Sequence, residues 1–120
     1  MSYFDGFVLP VPTQNRQAYL DLAKIASGVF LKYGATRVVE AWGDNIPVGK
    51  VNDFRTAVIA EKNEQVVFSW IEWPSKEARD AGMAKCMVDP EMAHDPDNSP
   101  FAGERLIWGG FEPILDTQEG

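Results

Sequence analysis

The segment Val66–Trp73 is apolar on both of its alternating faces: one parity carries Val66, Phe68 and Trp70, the other Val67, Ile71 and Trp73. Tyr3–Leu9 repeats the pattern, with Tyr3, Phe7 and Leu9 against Phe4 and Val8. A strand that packs on one side only alternates apolar with polar residues. A sheet built from these two segments must cover both faces, because each Å2 of apolar surface left in water forfeits about 25 cal/mol. Several exposed aromatics would also invite aggregation.

The remaining chain supplies helices for one face only. Pro10 and Pro12 are expected to close the first strand, with Thr13 or Asn15 capping the helix that follows. Tyr19, Leu22, Ala23, Ala26, Val29, Phe30 and Tyr33 recur at spacings of three and four, the stripe of an amphipathic helix, and Gly34 stands where a helix C-terminal glycine belongs. Thr36–Trp42 reads as the second strand and Gly43–Asp53 as a long loop. Phe54–Ala60 and Gln65–Trp73 read as a hairpin turning at Glu61–Glu64. Ser75 caps a second helix that runs to Pro90, an acidic loop spans Pro90–Gly103, and Glu104–Leu115 is the last strand, interrupted by Gly109-Gly110.

The expected fold is one α+β domain over residues 1–120, ferredoxin-like in its β-α-β-β-α-β order, with an extra strand at Phe54–Ala60. Two helices leave one sheet face open. The expected cover is a second copy of the chain, since two-fold pairing is the commonest assembly; the alternative is that loops 43–53 and 90–103 fold over it.

Charge and cysteine usage narrow the function classes. The net charge of −7 and the scatter of basic residues from Arg16 to Arg105 argue against nucleic acid and anionic membrane as partners. The start, Met1–Gly6, has no basic segment followed by an apolar one, and no apolar run has the ~20 residues of a membrane helix. A lone cysteine, Cys86, forms no internal disulfide, so a reducing, cytoplasmic location is expected. Cys86 falls late in its helix, where the dipole opposes a thiolate, and reads as packing.

Two stretches imitate known motifs. Gly43–Lys50 has five residues between its glycines where a phosphate loop has four, Val51 where Ser or Thr should bind magnesium, and a strand in place of a helix, so no nucleotide site is expected. Asp89–Asp97 gathers carboxylates around the only histidine, His94, but matches neither a calcium nor a zinc spacing; no metal or other cofactor is expected. His94 remains a general-base candidate.

More informative are polar residues inside the apolar strands: Asp5, Arg37, Glu40, Ser69, Glu72 and Arg105. Glu40 shares a face with Trp42, and Glu72 with Trp70. Each pair sets a carboxylate beside an indole, where apolar surroundings raise a pKa and suit it to acid–base work. Against this stands the reading that Arg37 and Arg105 neutralise Glu40 and Glu72 in structural salt bridges.

Arg37–Asp44, Val67–Lys76 with Arg79–Gly82, and Trp108–Phe111 together make the chain resemble, over nearly its whole length, the YbaA-like family of small bacterial proteins of unknown function. The resemblance implies the dimeric α+β barrel superfamily, in which two ferredoxin-like sheets pack into one barrel. It implies no catalytic motif, although some members of that superfamily are cofactor-independent monooxygenases, haem-degrading enzymes or isomerases.

Two functions are expected. One is a cofactor-independent enzyme acting on an apolar or aromatic small molecule held between sheet and helices. Its proton-transfer candidates are Glu40, Glu72 and His94, and its ligand-binding candidates Arg37, Trp42, Trp70, Arg105 and Trp108. The other is a non-catalytic homodimer that binds a metabolite or regulates a partner. A cavity with an unpaired carboxylate favours the first; carboxylates fully paired with arginines favour the second.

Overall fold

The computed structural model describes residues 2–93 and 95–118. Four strands, β1 (Tyr3–Pro12), β2 (Arg37–Trp42), β3 (Glu64–Trp73) and β4 (Ile107–Phe111), form one sheet in the order β2-β3-β1-β4, with every neighbouring pair antiparallel. Helix α1 (Arg16–Lys32) joins β1 to β2, and helix α3 (Lys76–Val88) joins β3 to β4. Each helix links two parallel strands with a third strand between them, which is the interleaved β-α-β plan expected from the element order.

Four local expectations are corrected, one of them the last strand, which is Ile107–Phe111 rather than Glu104–Leu115 and pairs through Gly109 and Gly110 without interruption. Phe54–Ala57 is not a strand but a short helix, α2. Asp53 accepts from the Thr56 N–H at 2.8 Å while the Thr56 hydroxyl accepts from the Asp53 N–H at 2.8 Å, a reciprocal capping box that starts the helix despite the strand-like Val58 and Ile59 downstream. The sheet therefore has four strands. Pro10 and Pro12 lie inside β1 rather than after it, because β4 pairs with β1 only as far as Val8 and the rest is an edge where a missing N–H is harmless. Asn15 precedes α1 without capping it through its side chain and instead donates to the Pro100 carbonyl at 3.0 Å. Ser75 does cap α3, accepting from the Ala78 N–H at 3.0 Å, and Gly34 takes φ +113° just beyond α1, where a side chain would be strained.

Alternation along β3 sorts the sheet into two faces. Val67, Ser69, Ile71 and Trp73 point to the helices and are buried. The core there forms two clusters, one around Leu9, Val11, Tyr19, Ala23 and Val67, the other around Tyr3, Ala35, Ile71 and Trp73. Under α3, the Trp73 indole N–H donates to Asp5 at 2.9 Å, and Arg79 lies 3.8 Å from the same carboxylate while donating to the Tyr3 hydroxyl at 2.9 Å. Burial raises the Asp5 carboxyl above its ordinary value, partly offset by the Trp73 bond and by Arg79.

The other face is largely open. Its Val66 end is buried, in the region where Phe54 of α2 meets Phe68 edge-on at 6.0 Å. Beyond it Phe68, Ile107 and Phe111 are exposed, Phe68 meets Trp70 edge-on at 5.7 Å, and Phe111 lies across Gly6. Loop 43–53 does not cover this face: Val48 and Val51 are 90% and 96% exposed. None of the described helices is long and apolar enough to cross a membrane.

Candidate functional site

The strand register sets three side chains in a row on the helix face: Glu40 of β2 lies opposite Ser69 of β3, and Ser69 opposite Phe7 of β1. Helix α1 crosses above them and buries Tyr19 against the sheet, where its hydroxyl donates to the Glu40 carboxylate at 2.6 Å. A cavity of about 330 Å3 opens beside this pair. Both core clusters contribute to its walls: Leu9, Tyr19 and Ala23 from one, Ile71 with Phe7 and Phe30 from the other. Met92, Phe101 and Leu106, from the segment between α3 and β4, complete it. The cavity is thus the gap where the core divides, and Glu40, Ser69, the Tyr19 hydroxyl and Glu91 are the polar groups on an otherwise apolar lining.

Glu40 remains exposed toward this opening, yet its carboxyl is held above its ordinary value by desolvation among apolar groups, partly offset by the Tyr19 hydrogen bond. The Tyr19 phenol is pushed up as well, first by burial and then by the Glu40 charge, so it stays a hydrogen-bond donor throughout the physiological range. Among the described residues no cation pairs with Glu40. The arrangement can therefore accept or deliver a proton at the Glu40 carboxyl, with Tyr19 orienting it.

The sequence matches, over residues 2–103, the family described as "Protein of unknown function (DUF1428)". The chain belongs to the DUF1428 family. The uncharacterized protein YbaA of Escherichia coli strain K12 is 53% identical over 116 residues, spanning 97% of this chain and 99% of its own, and YbaA of Shigella flexneri matches to the same extent. The YbaA-like resemblance read from the tryptophan-rich segments is thereby shown. Among solved structures, Rv0793 from Mycobacterium tuberculosis superposes with a TM-score of 0.51 at 10% identity, covering 98% of this chain and 99% of that one, a likeness of fold alone.

In this DUF1428 chain the other candidate residues do not converge on the cavity. Arg37, Trp70 and Glu72 lie on the open face, where the Trp70 indole donates to Glu72 at 2.9 Å and Arg37 approaches the same carboxylate at 3.6 Å. The proposed Arg37–Glu40 bridge is corrected on parity: three residues apart on a strand, they point to opposite faces. Arg105 pairs with neither Glu40 nor Glu72. It grips Glu64 with two bonds of 2.6 and 2.7 Å and donates to the Ile59 carbonyl at 2.8 Å. Trp108 is on the helix face of the edge strand, 64% exposed. Trp42 stays on the Glu40 face and lines a second, adjoining opening. His94 lies outside the described residues. Among the described residues no three His, Cys, Asp or Glu side chains gather as metal ligands would. Cys86 is buried within hydrogen-bonding reach of the Val29 carbonyl, and burial pushes its thiol up, as packing demands.

Sequence reasoning missed Tyr19 as a polar partner, because on an amphipathic stripe it counts simply as apolar. The available signal was its hydroxyl: a buried Tyr needs an acceptor, and Glu40 was the one strand carboxylate on the helix face of β2.

Proposed function

We propose that this protein binds an apolar or aromatic small molecule in the cavity between α1 and the sheet, and that Glu40 exchanges a proton with it. The observation that carries this reading is the 2.6 Å Tyr19–Glu40 hydrogen bond on the wall of an otherwise apolar cavity, with no cation among the described residues to neutralise the carboxylate. A group whose only role was structural would be better served by an arginine, as Glu64 is. The unpaired, shifted carboxyl favours an enzyme over a passive binder.

The test is a thermal-shift screen with apolar and aromatic compounds bearing one acidic C–H, since a ligand that binds only the native state raises its melting temperature. Compounds that shift the parent are then held with it in D2O. Deuterium should enter the acidic position with the parent and not with Glu40→Gln, while Tyr19→Phe should slow exchange. No melting shift from any compound would sink the binding reading; binding with exchange unaffected by Glu40→Gln would leave a non-catalytic metabolite binder.

Glu40→Gln also carries a stability prediction. The folded carboxyl has the higher pKa, so its favourable contribution is full below the unfolded value and is lost as pH rises through the folded one. At neutral pH the ionised group is a load that Gln removes while still accepting from Tyr19. Denaturation at neutral pH should show Glu40→Gln equal to the parent or more stable by up to ~1 kcal/mol, a small gain because the opening to water screens the charge. The gain should vanish in mild acid. A clear loss at neutral pH would show that the carboxylate is structural.

The open face supports a second part of the reading: two copies pair through it, sheet to sheet, as a dimeric barrel. Phe68, Ile107 and Phe111 are exposed there beside Trp70, and a two-fold axis through this patch would bury identical apolar surfaces on each other. Sedimentation at micromolar concentration should give twice the 13.4 kDa chain mass. Phe111→Asp, exposed in the single chain, should give folded monomer. A parent that sediments as monomer would remove the barrel.

A further inference from the structure

Adjoining the apolar cavity is a second opening of about 290 Å3, lined by Arg16, Gln17, Leu20, Trp42 and Val67. Tyr19 and Glu40 line both openings, so their hydrogen bond stands in the wall that the two share. Arg16 begins α1, and its guanidinium lies over the Trp42 ring, 5.1 Å from the centroid. This cation–π contact holds the guanidinium at the opening, and an arginine fork is the group that receives a carboxylate with two parallel bonds.

The other arginines are occupied. Arg37, Arg79 and Arg105 face carboxylates, and Arg55 donates to the Glu61 and Glu64 carbonyls at 2.8 and 2.7 Å. Arg16 alone has neither a carboxylate nor a carbonyl partner among the described residues. A guanidinium held at the opening without a counter-ion, one helical turn before Tyr19, is placed to read a charge on whatever enters beside Glu40.

We propose that the ligand is an amphipathic carboxylate, its anionic end held by Arg16 on Trp42 and its apolar body in the larger cavity past Tyr19 and Glu40. This rests on the cavity reading above and adds the class of ligand to it. Distant surface charges are screened beyond a Debye length of about 8 Å, so the negative charge that the Arg16 pair must outweigh is that of Glu40, which lines the same opening.

The probes are octanoate and 1-octanol, which share a chain and differ in the head group, titrated calorimetrically into the full-length protein. Octanoate should bind at least ~10-fold more tightly than octanol, the ratio of one charge-assisted contact. Arg16→Gln, an exposed change expected to leave the melting temperature alone, should reduce octanoate affinity ~10-fold and leave octanol unchanged. Arg16→Lys should keep part of the preference, since a point charge replaces a fork. Equal binding of the two probes, or octanoate binding untouched by Arg16→Gln, would overturn the carboxylate proposal and leave the cavity standing. If neither probe binds although the melting screen yields a ligand, this proposal falls and the cavity reading stands; if the screen is also empty, both fall.

Discussion

Arg105→Ala is expected to destabilise the protein by ~3–5 kcal/mol, the range for removing one partner of a buried ion pair. Glu64 has only 4% of its side chain exposed, and its two carboxylate oxygens accept from Arg105 at 2.6 and 2.7 Å. Removing the guanidinium leaves that buried charge with one hydrogen bond among the described residues, from the Glu61 N–H at 2.7 Å. It also frees the carbonyl of Ile59, which Arg105 holds at 2.8 Å and which is itself a β-branched residue with φ of +52°. Such a backbone conformation persists only where its surroundings enforce it. Arg105→Lys should recover part of the loss, because it keeps a charge without the fork. The pH dependence has a definite sign. Arg105 holds the Glu64 carboxyl below its ordinary value, so the stability it contributes is present above the unfolded pKa and is lost as pH falls through the folded one. Arg105→Ala should flatten the acid limb of the stability profile. A loss under ~1 kcal/mol would mean that the clamp behaves like a surface pair.

Gly82→Ala is expected to cost ~1–3 kcal/mol, the usual penalty for overpacking. Alanine in a helix interior otherwise gains about 1 kcal/mol over glycine, so the sign itself is the prediction. A Cβ at Gly82 would come within 2.5 Å of both the Trp73 ring and the Tyr33 carbonyl oxygen. Trp73 is fully buried and tied to Asp5, and a backbone carbonyl cannot swing aside, so α3 must lift from the sheet. Gly28→Ala is the internal control. Gly28 sits in the middle of α1 and a Cβ there meets nothing within 4 Å. It should stabilise by ~0.5–1 kcal/mol. Urea denaturation of both variants checks the pair, and a gain in both would show that α3 packs more loosely than this contact implies.

Much of the fold was legible because it rests on periodicity. The stripe from Tyr19 to Tyr33 and the doubled apolar pattern of Val66–Trp73 each admit one secondary structure, and the two-faced strands announce the open face. The misread segment, Phe54–Ala60, is too short for periodicity to decide; there a hydrogen-bonded cap outweighed the β-branched residues. The site was half legible. Parity alone put Glu40 with Trp42 and Glu72 with Trp70. Which arginine meets which acid depends on strand order and on the fold of 54–63, and neither is written in the local pattern. Arg105 and Glu64 are 41 positions apart in sequence, and nothing near either one announces the other. A basic residue early in a helix is ordinary, and Arg16 is set apart only by lying over Trp42 with no carboxylate or carbonyl partner among the described residues.

The division of the core has a mechanical consequence. The floor of the cavity is β1, β2 and β3, the most thoroughly paired part of the sheet, whereas Met92, Phe101 and Leu106 come from single-turn helices and irregular chain. Elements of these two kinds open at very different free energies. A molecule seated between them would act as a rivet, lending the slack side some of the stiffness of the rigid one. Occupancy would then register in the solvent protection of backbone amides near Leu106 well before it altered the sheet beneath.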